Sequence, residues 1–200
     1  RLYDAVSQVR ERVGSRPLTI DPDIEPILAE SVAYYAPVMG EAAARELFES
    51  PSINLGTFEG GEAINVVPQF ATAEIDVRLT AGVETADVLA DIRACADDCE
   101  GVEIVDVSWS VGSAERIDSP LVAAVTSVAE DVTGERVYRR SATGGGDAKS
   151  LRHAGIPTVE FALGPDMAHA VDEYTTIDDL VDNAVTYARV PAAYASRIEA

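Results

Sequence analysis

Between Ser141 and Tyr174 the chain runs through a glycine-rich turn, Ser141-Ala-Thr-Gly-Gly-Gly-Asp147, then a short helical segment to Gly155. An almost wholly apolar run follows, Ile156-Pro-Thr-Val-Glu-Phe-Ala-Leu163, and then a Gly164-Pro165 loop that carries His169. Turn, helix, apolar strand and loop in that order form the repeating unit of an α/β fold, in which the apolar run predicts a central parallel strand. A residue placed just after such a strand stands at the sheet's carboxyl edge, where α/β proteins build their sites. His169 holds that position.

Upstream of this stretch the periodicity changes. Leu2, Ala5, Val6, Val9 and Val13 keep helical spacing and Gly14 supplies a stop. Pro17, Pro22 and Pro26 mark a connector, and the Ala/Glu-rich stretch 27–48 reads as two short helices divided by Pro37 and Gly40, with no visible chemistry. Pro51 to Phe58 predicts a strand and Glu59 to Glu62 its turn. From Ala71 to Thr80 alternation is strict, with Ala73, Ile75, Val77 and Leu79 inward and Glu74, Asp76, Arg78 and Thr80 outward. A helix opens at Thr85 and passes through Val88, Leu89, Ile92, Ala96 and Cys99 to Gly101. A further strand is predicted over 102–111. This α-β-β-α-β order is a ferredoxin-like layer lacking its first strand.

Gly112 to Ile117 is the expected domain boundary, giving residues 1–112 and 113–200. Asp118 or Ser119 caps the next helix, with Pro120 in its first turn, a buried stripe at Leu121, Val125, Val128 and Val132, and Gly134 at its end. Val137 and Tyr138 enter a strand that leads to the glycine turn, and Asp147 is expected to cap the short helix after it. The last helix starts at Thr176, with Asp179 completing a capping box and Ile177, Leu180, Val181, Ala184, Val185 and Ala188 as its apolar stripe.

Composition narrows the function classes. The chain carries 35 acidic and 15 basic residues for a net charge of −20, and Lys149 is its sole lysine. The acids are spread along the chain as a solvated coat, which repels nucleic acid and anionic membranes. Such a lysine-poor acidic balance resembles that of proteins from salt-loving archaea, where ionic strength screens self-repulsion. Cys95 and Cys99, four apart on one helix face, have no further Cys or His beside them, and read as free thiols in a reducing, cytoplasmic setting. No apolar run approaches a membrane span. The chain begins at Arg1, already inside a helical pattern, and reads as a piece of something longer.

Five segments carry a resemblance. Glu62-Ala-Ile-Asn65-Val-Val-Pro68, Ala73-Glu-Ile-Asp-Val-Arg78, Ser141-Ala-Thr-Gly-Gly-Gly-Asp147, Gly155-Ile-Pro-Thr-Val-Glu-Phe161 and His169-Ala-Val-Asp-Glu-Tyr174 resemble, in order and spacing, the second half of the M20 metallopeptidase and deacylase family. That family includes succinyl-diaminopimelate desuccinylase, acetylornithine deacetylase and glutamate carboxypeptidase. The resemblance implies a zinc-peptidase-like α/β domain, of which residues 113–200 would be the C-terminal segment, and a lid over 1–112 that mediates homodimerisation.

The chemistry it implies is metal-assisted hydrolysis of an N-acyl amino acid or N-acyl diamino acid, with two zinc (or cobalt) ions per complete subunit activating a water. His169 would be a metal ligand. Asn65 would reach the substrate from the partner subunit, Arg78 would pair with a substrate carboxylate, and Thr143, Gly144, Gly145 and Gly146 would cradle that anion with backbone N–H groups. The family's other metal ligands come from a His-x-Asp strand end, a bridging Asp and a Glu-Glu pair, and none of these occurs here. No catalytic residue is assigned in this chain, and the isolated 200 residues are expected to be inactive. The alternative is a non-catalytic dimerisation module built on the lid.

Overall fold

Ile53 and Leu55 on one strand and Ile75 and Val77 on its partner point to the same side of a two-stranded antiparallel sheet, and this side is the one that packs. In the computed structural model of the chain, which describes residues 1–142, 144–165, 167 and 170–199, β1 (Ser52–Gly60) pairs with β2 (Ala71–Arg78). The register runs from Ser52 opposite Arg78 to Gly60 opposite Ala71, with a bulge at Gly56. Alternation along β2 is as expected, because one face is covered and the other is wet.

The covering layer is α1 (Leu2–Gln8), continued by a π-helical turn over Val9–Val13, and α4 (Thr85–Asp97). Val9, Val13, Val88 and Cys95 are buried against Leu18, Ile53, Ile75, Val77, Leu79 and Ile92. Two cross-links tie the helices at their wet edge, Arg12 to Asp98 at 2.7 Å and Arg16 to Asp91. Cys95 and Cys99 are both free, as expected. Burial pushes the Cys95 thiol up, so it behaves as a packed apolar group.

Between Val13 and β1 in sequence lie α2 (Glu25–Met39) and α3 (Glu41–Glu49), whose shared core is Leu28, Val32, Ala44 and Phe48. The helix break differs from the expected one. Pro37 lies inside α2, and the chain turns at Gly40, whose φ of 86° and ψ of 151° only glycine adopts readily.

The second half is built on α5 (Pro120–Thr133) against α7 (Ile177–Ile198), with the short α6 (Asp147–His153) between them in sequence. Ser119 is the cap of α5, accepting from the Val122 N–H, and Gly134 closes it in the left-handed region at φ 71°. Thr176 and Asp179 form the reciprocal capping box expected for α7. The apolar stripe of α7 is placed differently: Ile177, Leu180, Val181 and Val185 are exposed, and Thr186 is the fully buried position. At α6 the cap is Gly146, and Asp147 is the first helical residue with no side-chain capping bond.

Segments 102–111, 137–138 and 156–163 form no ladder among the described residues. A strand exists only through hydrogen bonds to a neighbour, and here the polar backbone of 156–163 is met by side chains. Asn183 bonds both the N–H and the carbonyl of Leu163, at 2.8 and 2.9 Å, and the Tyr187 hydroxyl donates to the Phe161 carbonyl at 2.6 Å. The Thr158 N–H is taken by Glu115 at 3.1 Å, and Arg152 donates to the Thr158 carbonyl at 2.9 Å. In 102–111, Val105 is 84% and Trp109 57% exposed, so that segment is not covered on the face its pattern predicts. No described helix is long and apolar enough to cross a membrane.

Candidate functional site

The glycine turn is positioned from both sides. Its approach, residues 136–141, is clamped by α2. Glu30 accepts from the Arg139 backbone N–H at 2.8 Å and from its Nε at 3.0 Å, and the Ser31 hydroxyl accepts from the Ser141 N–H at 2.8 Å. Ser31 is fully buried, and its own proton goes to the Ile27 carbonyl at 2.8 Å. Rings add to the clamp. Arg140 lies over Tyr34 at 4.7 Å, Tyr34 meets Tyr138 edge-on at 5.4 Å, and Arg136 lies over Tyr138 at 4.6 Å. The 27–48 stretch, without visible chemistry in the sequence, thus fixes the entry to the turn.

The exit is held by the segment that leads into α5. Lys149 on α6 bonds the Ser110 hydroxyl, and Arg152 bonds that of Ser113 at 3.0 Å. His153, next along α6, is exposed as expected.

Among the described residues two charged side chains reach the turn. Arg78 ends β2; its Nε is held by Asp76 at 2.8 Å, and its Nη1 lies 3.9 Å from where a Cβ on Gly144 would stand. At Gly145 no described residue stands within 4 Å of where a Cβ would be. At Gly146 an added Cβ would collide with the Glu160 carboxylate, whose carboxyl carbon is 3.0 Å from that position. The structure therefore brings Arg78 and Gly144 together, and adds Glu160, which the apolar pattern had hidden inside a predicted strand. A lone acid inside an otherwise apolar run was the signal that could have found it.

Asn65 is not at this place. It sits in the exposed loop between β1 and β2, beyond the Gly60–Ala71 end of the ladder, whereas Arg78 is at the opposite end beside Ser52. Seven residue steps along β2 separate Ala71 from Arg78, about 24 Å at strand rise. Thr143 and His169 lie outside the described residues. Among the described residues no three His, Cys, Asp or Glu side chains come together in a way that could hold a metal ion, so these residues do not fit a two-metal centre by themselves. Concavities elsewhere, one of about 180 Å³ between α5, α7 and 157–161 and one of about 410 Å³ between 16–22 and 82–88, contain none of the candidate residues.

The sequence profile of Peptidase family M20/M25/M40 matches residues 8–193. A succinyl-diaminopimelate desuccinylase of Caulobacter sp. (strain K31) is 30% identical over 155 residues, covering 74% of this chain and 40% of that protein. The protein of the same description from Magnetococcus marinus (strain ATCC BAA-1437 / JCM 17883 / MC-1) is 34% identical over 136 residues, 66% of this chain and 34% of that one. The chain thus spans well under half the length of these relatives. The fold is similar to that of an M20 family metallo-carboxypeptidase, Sso-CP2, from Sulfolobus solfataricus, with a TM-score of 0.65 at 20% identity over 94% of this chain and 48% of that structure. On the length of the profile match, the chain belongs to Peptidase family M20/M25/M40.

Proposed function

We propose that these residues form the substrate-holding part of an amide hydrolase that removes the acyl group of an N-acyl amino acid or N-acyl diamino acid, of desuccinylase or deacetylase type. The carrying observation is the Arg78 guanidinium at the glycine turn: Asp76 fixes its Nε, which leaves Nη1 directed to Gly144. A guanidinium so held grips a carboxylate in a defined orientation. The names of the desuccinylase relatives support an acylated, carboxylate-bearing substrate.

Residues 1–112 act in this reading as a lid and dimerisation domain, and 113–200 as part of the α/β catalytic domain. Asn65 stands about a strand's length from Arg78, so it meets a ligand at the turn of a second copy, where its amide steadies the scissile carbonyl. His169 supplies one metal ligand, zinc or cobalt, and the remaining donors lie outside these 200 residues. The protein is a soluble cytoplasmic homodimer. Its test is turnover: the complete protein with Zn²⁺ or Co²⁺ hydrolyses N-succinyl or N-acetyl diamino acids, and the 200-residue chain with the same ions does not. Turnover by the chain alone would sink the shared-site reading.

A second reading is a non-catalytic dimerisation module. It is favoured by the hairpin, where Phe58, Ile64, Val67 and Phe70 are 46, 107, 87 and 85% exposed. A metal-loaded complete protein that dimerises but turns over no N-acyl amino acid decides for it.

A further inference from the structure

Arg78 and Glu160 stand at opposite ends of the same three-glycine turn, the cation at Gly144 and the carboxylate at Gly146. Two residues of chain span at most about 7 Å. That bound keeps both charged groups within reach of one small zwitterionic head group. Arg78 keeps Nη1 toward the turn because its Nε is tied to Asp76. Glu160 is exposed, and no ion pair to it is formed among the described residues. Gly145, between them, has nothing among the described residues within 4 Å of where its Cβ would stand, which leaves that side of the turn to a ligand.

We infer that Glu160 is a specificity-determining residue that binds a free ammonium group next to the carboxylate held by Arg78. The inference rests on the hydrolase reading above and deepens it. The preferred substrate is then a diamino acid acylated on one amine, whose other amine stays free and α to a carboxylate. An acylated acid without that ammonium brings its carboxylate against Glu160 and is opposed by like charge. Discrimination thus comes from an attractive and a repulsive element on one turn. Glycine at 146 lets the Glu160 carboxylate lie directly on the backbone, since a Cβ there would push it aside.

The test is binding rather than turnover. The complete protein is titrated calorimetrically with L,L-2,6-diaminoheptanedioate and with heptanedioate, which differs only in lacking both ammonium groups. The titrations are run in 1 M KCl, where the Debye length is about 3 Å and the overall negative charge is screened. The diamino compound is expected to bind at least about tenfold more tightly, the worth of one charge-assisted hydrogen bond. Glu160→Gln, at an exposed position, brings the two ligands to within about twofold of each other. Gly146→Ala, which displaces the carboxylate but keeps its charge, lowers the ratio as well. Arg78→Lys weakens both ligands together.

Equal binding of the two compounds by the unaltered protein overturns the assignment, as does a ratio unchanged in Glu160→Gln or an absence of binding by either compound. Turnover of an N-acyl diamino acid without this discrimination leaves the hydrolase reading standing and removes only the role of Glu160. Discrimination without turnover does the reverse.

Discussion

Glu30 on α2 accepts three donors from Arg139: the backbone N–H at 2.8 Å and Nε at 3.0 Å on one oxygen, and Nη2 on the other. The Glu30 side chain is 16% exposed and that of Arg139 39%. The fork holds the lead-in to the glycine turn against the first half of the chain, so its loss is felt twice, in stability and in the position of Gly144. Glu30→Ala leaves a half-buried guanidinium without its acceptors and is expected to cost about 1–3 kcal/mol. Urea unfolding measures that cost. A loss of a few tenths of a kcal/mol would reduce the fork to an ordinary surface pair.

The same pair sets a pH dependence. Burial pushes the Glu30 carboxyl up, but the hydrogen bonds and charge of Arg139 outweigh it, and the net effect holds the group below its usual range. A carboxyl with a lower pKa folded than unfolded contributes stability in full above the unfolded value, about 4.3, and loses it as pH falls through the folded one. The stability gap between the unaltered chain and Glu30→Gln is therefore present at neutral pH and closes below about pH 4. A gap that widens in acid would reverse the sign of this dependence.

Much of the layout could be read from local pattern, and the failures have one physical form. Strict alternation found β2, Ser119-Pro120 and Gly134 bounded α5, and Thr176 with Asp179 marked the start of α7, because caps and pleats depend on neighbours in sequence. Ile156 to Leu163 was expected as a buried strand from its apolarity alone, but a ladder needs a partner, and among the described residues its backbone finds Asn183, Tyr187 and Glu115 instead. The α7 stripe fails for the same reason: spacing identifies a face without saying what covers it. At the site, Arg78 and the glycines were named from motif, whereas Glu30, Ser31 and Glu160 act through contacts spanning 109, 110 and 14 positions, invisible to spacing.

Gly40 isolates a backbone effect. Its φ of 86° and ψ of 151° lie where a side chain is strained, yet no described residue stands within 4 Å of where its Cβ would be. Gly40→Ala therefore meets no steric clash with neighbours, and its expected cost of about 1–3 kcal/mol is conformational. The helix that ends at Gly40, α2, also carries the clamp on 136–141 through Glu30, Ser31 and Tyr34, so amide exchange in 136–141 should quicken in the variant. Full stability in Gly40→Ala would mean that the helices rejoin through another geometry.

Thr186 tests the core of the second half. It is fully buried on α7, facing a cavity lined by Leu121, Val125, Val159 and Phe161, and its hydroxyl has no hydrogen-bond partner among the described residues. A buried hydroxyl without a partner carries a desolvation cost with nothing to offset it. Thr186→Val keeps the shape and removes that cost, for an expected gain of about 1 kcal/mol and a rise in Tm of about 2–4 °C. A fall in Tm would show that the hydroxyl is bonded after all, for example to an ordered water in the cavity.

Ionic strength gives the last test, and two effects compete in it. Salt weakens the exposed ion pairs, such as Arg12 with Asp98 and Arg189 with Asp131, each worth at most about 1 kcal/mol. It also screens the mutual repulsion of a chain with net charge −20, in which acids outnumber bases 35 to 15, so most carboxylates have no cation to meet. Repulsion among the surplus acts over many pairs at distances near the Debye length, about 10 Å at 0.1 M and 3 Å at 1 M, and therefore outweighs the few ion pairs. Tm is expected to rise by about 5 °C or more between 0.1 and 2 M KCl, well over 1 kcal/mol for a chain of this length. Glu46, Glu59, Glu62 and Glu103 are exposed and form no ion pair among the described residues. Replacing all four by glutamine should raise Tm at low salt and flatten the dependence. A Tm that falls with KCl would show the ion pairs outweighing the repulsion, and would remove the case for adaptation to high salt.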